Sequence, residues 1–551
     1  MKWFVVFICS LWIVNVSQSE DLFQLTPQEN QEIEKRISDF YRVPITPSAM
    51  DQQGLKINIK TLKAIDSHPE LKTTKISDGS ALLKQAQIKG TRRYQRWYCE
   101  TVLKKVIPKF PCESLRTWAD VGKEDRLADL VKTWVAEPSY ELDQIPVSGK
   151  SERPLWSDDF WAMERGLISY RYSRGEWFSS YPEAIAAYTQ PRDWFALLQV
   201  SQPEINRTVI SWSPAEKYDL TVGDETFQLT LEQKSEGEWY QTHEGEVEGW
   251  MGLCHGWAPA AIMVPRPEKP VQVLGPRGTE VLWYPNDIKA LITLAWANGD
   301  WESNFVGRRC ELTKPKLYPN GRIQSLDCFD NNPATFHLAL GNLIGRAGAS
   351  FVMDKAYDYQ VWNQPVVAYS FEYFNPLKPT QKSKAWKKVA VAYDAQFKKK
   401  DRFQIPLTRG KFLEGPREGD RFLRTAQPDG HIRKIVGVRA TVAYLVETTP
   451  PTFGPEAGDD VLARDTLLYD LEIAQLGGQW VVTGGEWHQN NHPDFLFVPQ
   501  RQTGASSYWD LYPFSIETAA RASARSGYPL CQVVKNLVEN SQNSNETYLC
   551  P

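Results

Sequence analysis

The sequence predicts an α+β fold spread over several domains. Three observations carry this: a chain of 551 residues, helical periodicity in its N-terminal part, and strand-like alternation in its C-terminal part. At about 100–200 residues per domain, the length calls for two to four units. With 42% apolar and 24% charged residues the chain has ample material for a core, which excludes disorder and collagen-like or multispan membrane classes. Sixty-three basic residues against 67 acidic give a net charge of −4, so no global positive field exists to hold nucleic acid. Aromatics make up 12%, with 21 tryptophans, which suits ring-lined clefts and plain core packing alike.

The first element is a leader. Lys2 precedes an apolar run from Trp3 to Val14 and a polar, small-residue stretch, the three regions of a cleaved signal peptide over residues 1–19. The run is short for a membrane span, so a secreted or periplasmic product without stable membrane insertion is expected. Residues 20–148 read as an N-terminal helical domain, with apolar positions at helical spacing in Gln28–Phe40 and Arg92–Val106. A removable pro-segment and a binding module are both open readings of it. Pro146–Pro154 reads as a polar linker. A mixed core follows over residues 149–380, containing a capped helical run, Ile288–Trp296, that ends at Asn298-Gly299. Residues 381–551 read as a β-rich domain of antiparallel strands, Val389–Phe397, Ala440–Thr448 and Leu467–Thr483, the last folding back at Gly477-Gly478.

The chain has 8 cysteines, and losing Cys9 with the leader leaves seven, an odd number where pairing is the rule. Six form sequence-local pairs: Cys99 with Cys112, Cys310 with Cys328, and Cys531 with Cys550, although six cysteines allow about 15 connectivities. The residue left over is Cys254. It sits in Gly249-Trp250-Met251-Gly252-Leu253-Cys254-His255-Gly256-Trp257-Ala258-Pro259, a glycine-rich turn running into an Ala-rich apolar segment. Pro259, tolerated in a first turn, places a helix start near Gly256–Ala258 with free amide donors beside the sulfur, and such donors favour a thiolate and an oxyanion. Trp250 and Trp257 are expected to wall the cleft and bind substrate. The competing reading is a buried, inert thiol.

A cysteine nucleophile needs a base and a group that orients it. With 7 histidines in the chain the search is short. His337 opens an apolar segment that reads as the first strand of a hairpin turning at Gly345-Arg346 and returning through Asp354. A turn centred there would face His337 across to Asp354, giving a Cys254, His337, Asp354 order of nucleophile, base and orienter. Asp358 and Asn363 are reserve orienters and His492 a reserve base. His68, His243, His255 and His431 are weaker, and the His488/His492 spacing lacks the further ligands of a metal site.

Val361-Trp362-Asn363-Gln364-Pro365-Val366 resembles the start of the surface peptide of the oomycete transglutaminase elicitors, a secreted family also found in marine bacteria. The segments around Cys254, from His337 to Asp354, and Gly484–Pro499 resemble that family too. The resemblance implies three domains around a papain-like cysteine core, and a transglutaminase (acyltransferase) that joins protein glutamine to lysine. It assigns Cys254, His337 and Asp354 as the triad, Trp362 and Asn363 to substrate contact, and calcium as a cofactor. Glutamine-donor and lysine-acceptor proteins are the implied partners. After Val366 the sequence departs from the family peptide, so elicitor activity does not follow from the resemblance. No calcium-loop spacing is present: Asp327–Asn332 and Asp459-Asp460 supply oxygens without one. A papain-like cysteine protease is the alternative, because the same three residues would serve it, and a Trp-rich binding protein is the non-catalytic one.

Overall fold

A ten-stranded antiparallel sheet organises the computed structural model, in the order β11-β10-β9-β6-β5-β12-β4 with β1 and β7 also on β6 and β8 on β9. The strands are β1 (Ser148–Lys150), β2 (Val271–Leu274), β3 (Glu280–Trp283), β4 (Ser303–Gly307), β5 (Val352–Asp354), β6 (Asn363–Asn375), β7 (Lys378–Ser383), β8 (Val391–Ala392), β9 (Lys434–Val446), β10 (Val461–Leu476), β11 (Gln479–Trp487) and β12 (Phe495–Pro499); β2 and β3 pair separately. The α-helices are α1 (Pro27–Arg42), α2 (Leu127–Val131), α3 (Tyr181–Tyr188), α4 (Pro214–Val222), α5 (Gln228–Ser235), α6 (Glu238–His243), α7 (Cys254–Met263), α8 (Pro285–Asn298), α9 (Pro333–Ala339) and α10 (Leu530–Ser541). The structure describes residues 25–42, 127–174, 178, 180–188, 209–222, 224, 226–275, 280–298, 303–315, 331–392, 434–450, 460–476, 478–488, 492–500 and 530–542. The leader, the expected helix Arg92–Val106 and Cys99, Cys112, Cys328 and Cys550 lie outside them. Cys310 is disulfide-bonded and Cys254 is a free cysteine.

The α+β class holds, with helices and a large antiparallel sheet in one chain. The expected hairpin is the β10–β11 pair, closing at Leu476↔Gln479, where Gly478 takes φ +88°, a conformation open to glycine; Gly477 lies outside the described residues. Strands from both sides of residue 380 join the same sheet: β6 pairs with β9 from Phe374↔Gly437 to Val366↔Tyr444. One apolar cluster draws on β6, β9, β10, β11, β12 and α9; a second draws on α4, α7, α8 and α10. Helix α1 docks on the sheet through Ile33 beside Phe374 and Leu468, with Lys382–Glu34 and Arg439–Asn30 contacts of 2.6 Å around it.

Two expectations are corrected. The Pro146–Pro154 segment is not a free linker, because Ser148–Lys150 pair with Ala368–Ser370 on β6 and Ser151 N–H donates to Val367 O. The hairpin from His337 is a helix. Asn332 caps it, its Oδ1 accepting from Ala334 N–H at 2.9 Å, and Pro333 takes the first turn, a start signal that outweighs an apolar run compatible with either period. The chain continues as a π-helical stretch over Leu340–Arg346. Gly345, read as a turn, instead lets this stretch press on its neighbours: a Cβ there would stand 2.2 Å from Tyr369 Oη.

Candidate active site

Helix α7 begins at Cys254 itself, five residues before Pro259, so the proline sits in the second turn rather than marking the start. Gly256 lets this first turn pack closely on α8, where a Cβ would stand 2.2 Å from Thr293 O. Leu253 N–H donates to Phe160 O at 2.6 Å and pins the entry. The first turn of α7 thus brings its orphan amide donors and the positive end of its dipole to the sulfur.

The thiol is 5% exposed. Its S–H points to Val361 O at 3.6 Å, and Asn363 Nδ2 donates to Sγ at 3.5 Å. Burial pushes the thiol up to about 12; the main-chain and side-chain N–H groups of Asn363 pull it down, and the charges of Glu447 and Asp354 push it up. The sulfur therefore rests protonated, with donors already in place for its anion.

Around it stands the segment that carries the family resemblance. Trp362 N–H donates to Asp354 Oδ1 at 2.8 Å, joined there by Ala356 N–H at 3.1 Å. Asp354 and Asn363 are direct partners across β5 and β6. The Asp354 Oδ2 and Asn363 Oδ1 atoms are buried with no hydrogen-bond partner. Burial lifts the Asp354 carboxyl to about 7, opposed by Arg309 and helped by Asp358. Gln364 Nε2 donates to both oxygens of Glu447, at 2.8 and 2.9 Å, and burial of that carboxyl lifts it to about 7 as well.

Half-buried rings form the rim. Trp362 packs against Phe160 at 5.5 Å between centroids and donates from Nε1 to Gln360 Oε1 at 3.0 Å. Trp250 meets Tyr359 edge-on at 5.9 Å, both donate to Glu248 Oε2, and the Arg309 guanidinium lies 5.1 Å over the Trp250 ring. Trp257, expected on the cleft wall, is fully buried and donates from Nε1 to Trp156 O at 3.1 Å, because position 257 falls on the core side of α7.

His337 is not beside the thiol. Its Nδ1 meets Tyr469 Oη at 2.9 Å, its ring stacks on Phe371 at 3.9 Å, and its Nε2 is buried without a partner. Burial lowers it to about 3, so it stays neutral. Phe371 and Asn363 are both on β6, eight residues apart, about 26 Å at about 3.3 Å per residue, well beyond a proton transfer between their neighbours. The expected opposition of His337 and Asp354 fails because one is on a helix and the other on a strand whose partner is Asn363. His492, the reserve base, is buried against Trp487 at 4.9 Å with Nδ1 on Pro493 O, and burial lowers it to about 4. Asp358 accepts from Gln360 N–H at 3.0 Å within its own turn.

Two paired residues next to Asn363, Gln364 and Glu447, escaped the sequence reading. Gln364 lies inside the resemblance segment and adjoins Asn363, which was the available signal. Glu447 closes an apolar strand prediction and carries no local signal at all.

No group of three or more His, Cys, Asp or Glu among the described residues is arranged to hold a metal ion. Asp460 accepts from Ser157 N–H at 2.9 Å and is paired with Arg266, while Asn332 caps α9. Asp327, Asp330 and Asp459 lie outside the described residues. No helix among the described residues is long and apolar enough to cross a membrane.

Residues 127–401 match the family model described as Transglutaminase elicitor. No curated protein matches the chain. Among solved structures, the GP42 transglutaminase from Phytophthora sojae is similar at 19% identity, over 70% of this chain and 93% of that one, with a TM-score of 0.44.

Proposed function

We propose, on the premise that this chain belongs to the transglutaminase elicitor family over residues 127–401, that it is an exported acyltransferase forming Gln–Lys isopeptide bonds through Cys254. One observation carries the reading: the free thiol stands at a helix start with Asn363 Nδ2 at 3.5 Å, and its wall is the very segment that resembles the family peptide.

The thiolate of Cys254 attacks the glutamine side-chain carbonyl, forming an S–C bond and a tetrahedral oxyanion. Collapse of the oxyanion breaks the C–N bond, and ammonia leaves with the proton the thiol gave up. A lysine amine then attacks the thioester carbonyl, the isopeptide forms and the sulfur regains a proton. Glu447 is the acid–base group in this reading. Gln364, which follows Asn363 on β6, holds both of the Glu447 oxygens; the Glu447 charge opposes the thiolate, and burial lifts its carboxyl to about 7, near a neutral working pH. The rim of Trp250, Trp362, Phe160 and Tyr359 excludes water and lets an amine compete for the thioester.

The test is incorporation of a fluorescent primary amine into a glutamine-rich protein, with and without added calcium. Wild type is expected to label and Cys254→Ala to give none. Cleavage of the protein without labelling would favour a papain-like protease instead, and equal rates with and without calcium would remove the cofactor implied by the family.

A further inference from the structure

The face shared by β5 and β6 beside the thiol holds two buried acceptor atoms that no hydrogen bond satisfies, Asp354 Oδ2 and Asn363 Oδ1. An unpaired buried polar atom is costly, so two of them on opposed residues call for an explanation. The two residues are register partners, and directly opposed side chains share a face with Cβ atoms about 4.5–5.5 Å apart.

We propose that Asn363 is the donor that stabilises the negative charge of the acyl transfer, first on the Cys254 sulfur and then on the tetrahedral oxygen, and that Asp354 is the positioning residue that turns its amide to do so. This deepens the acyl-transfer reading and rests on it. Asn363 reaches the sulfur with both its main-chain and its side-chain N–H, and no other side chain donates to Sγ among the described residues. Turned the other way, the amide would present Oδ1 to a thiolate and oppose its formation. Something must therefore hold Oδ1 away, and Asp354 is placed to do it. Its Oδ1 is already occupied by the amides of Trp362 and Ala356, which leaves Oδ2 for the neighbour. Burial keeps that carboxyl protonated over the acid side of neutrality, with Arg309 opposing and Asp358 reinforcing, so Oδ2–H can donate to Asn363 Oδ1. In the transition state the S–C bond forms, the carbonyl π pair moves to oxygen, and Asn363 Nδ2–H donates to that oxygen without giving up its proton.

The geometry separates this from a carboxylate that must be charged. Asn at position 354 keeps the acceptor for the Trp362 and Ala356 amides and offers an N–H to Asn363 Oδ1, so Asp354→Asn is expected to hold kcat within about threefold while Asp354→Ala loses about tenfold or more. Asn363→Ala is expected to cut kcat by about 10²-fold with KM little changed, as for loss of an oxyanion donor. A readout free of turnover is the pH midpoint of Cys254 alkylation by iodoacetamide in the full chain, which should move up in Asn363→Ala and in the isosteric Asn363→Asp, the latter serving if the alanine variant does not fold. Asp354→Asn as inactive as Asp354→Ala would overturn the positioning role. An unchanged alkylation midpoint in both Asn363 variants would overturn the donor role, even if wild type showed no amine incorporation and the acyl-transfer reading had itself failed.

Discussion

The two ends of β6 hold two buried titratable side chains that the chain treats in opposite ways. At the Asn363 end, Cys254 is buried among donors and carboxyls, and its anion has partners waiting. At the Phe371 end, His337 is buried among rings, with one hydrogen bond to Tyr469 and a second nitrogen facing nothing. Burial perturbs both groups away from their charged forms, to about 12 and about 3. The thiol has N–H donors turned toward its anion, while the imidazole meets only the Tyr469 hydroxyl, with no carboxylate and no partner for Nε2 to favour its charged form. A shifted proton affinity marks a reactive site only where neighbouring groups favour the form that reacts.

The contrast is tested most strongly at Glu447. Glu447→Gln keeps the pairing with Gln364 but cannot carry a proton, so kcat for amine incorporation is expected to fall by about 10²-fold or more. The Cys254 alkylation midpoint should move down in the same variant, because the charge that opposes the thiolate is gone. Turnover within about twofold of wild type would instead show that this carboxyl carries no proton.

At the other end, His337→Gln is expected to leave kcat within about twofold, since the imidazole touches no reacting atom. Its effect should appear in acid stability. The folded value of about 3 lies below the usual 6.5, so the unfolded chain takes up the proton first on acidification. The stability tied to the neutral ring is complete above about 6.5 and is lost as pH falls towards about 3. The variant should therefore tolerate acid better than wild type in thermal melts across that window, and inactivity at neutral pH with an intact melt would make His337 a catalytic group after all.

The smallest effect is expected on the rim. Trp250→Ala removes a half-buried ring and should cost less folding stability than the about 3–5 kcal/mol of a buried tryptophan such as Trp257, while raising KM for the protein substrate. Equal destabilisation by the two would place Trp250 in the core.

Sequence reading found the thiol end far better than the histidine end. Cys254 was legible because an odd cysteine count isolates it and its glycines mark a turn into a helix, although Pro259 put the helix start a few residues too late. Asp354 and Asn363 were legible as residue types but not as partners, because register depends on where β6 begins and not on local pattern. His337 misled because Leu338–Ile344 is a short, mostly apolar run, broken only by Gly341 and Asn342, that either a strand or a buried helix can use, and Asn332-Pro333, the signal that decides it, lies upstream of the window read. Trp257 misled because closeness in sequence to the nucleophile does not show what covers that side of α7; its ring runs into the core and donates to Trp156 O. Of the C-terminal strands, Ala440–Thr448 and Leu467–Thr483 were legible within β9, β10 and β11, while of Val389–Phe397 only Val391–Ala392 is strand among the described residues; their union with β1, β5 and β6 into one sheet depends on pairings distant in sequence.

The thiol meets Val361 and Asn363 across 107 and 109 positions of chain, and Glu447 comes later still. Such distant closures are the slow part of reaching a native structure. During biosynthesis, therefore, a chain long enough to display Cys254 lacks the wall and the amide donor that surround the sulfur in the fold until β6 has followed.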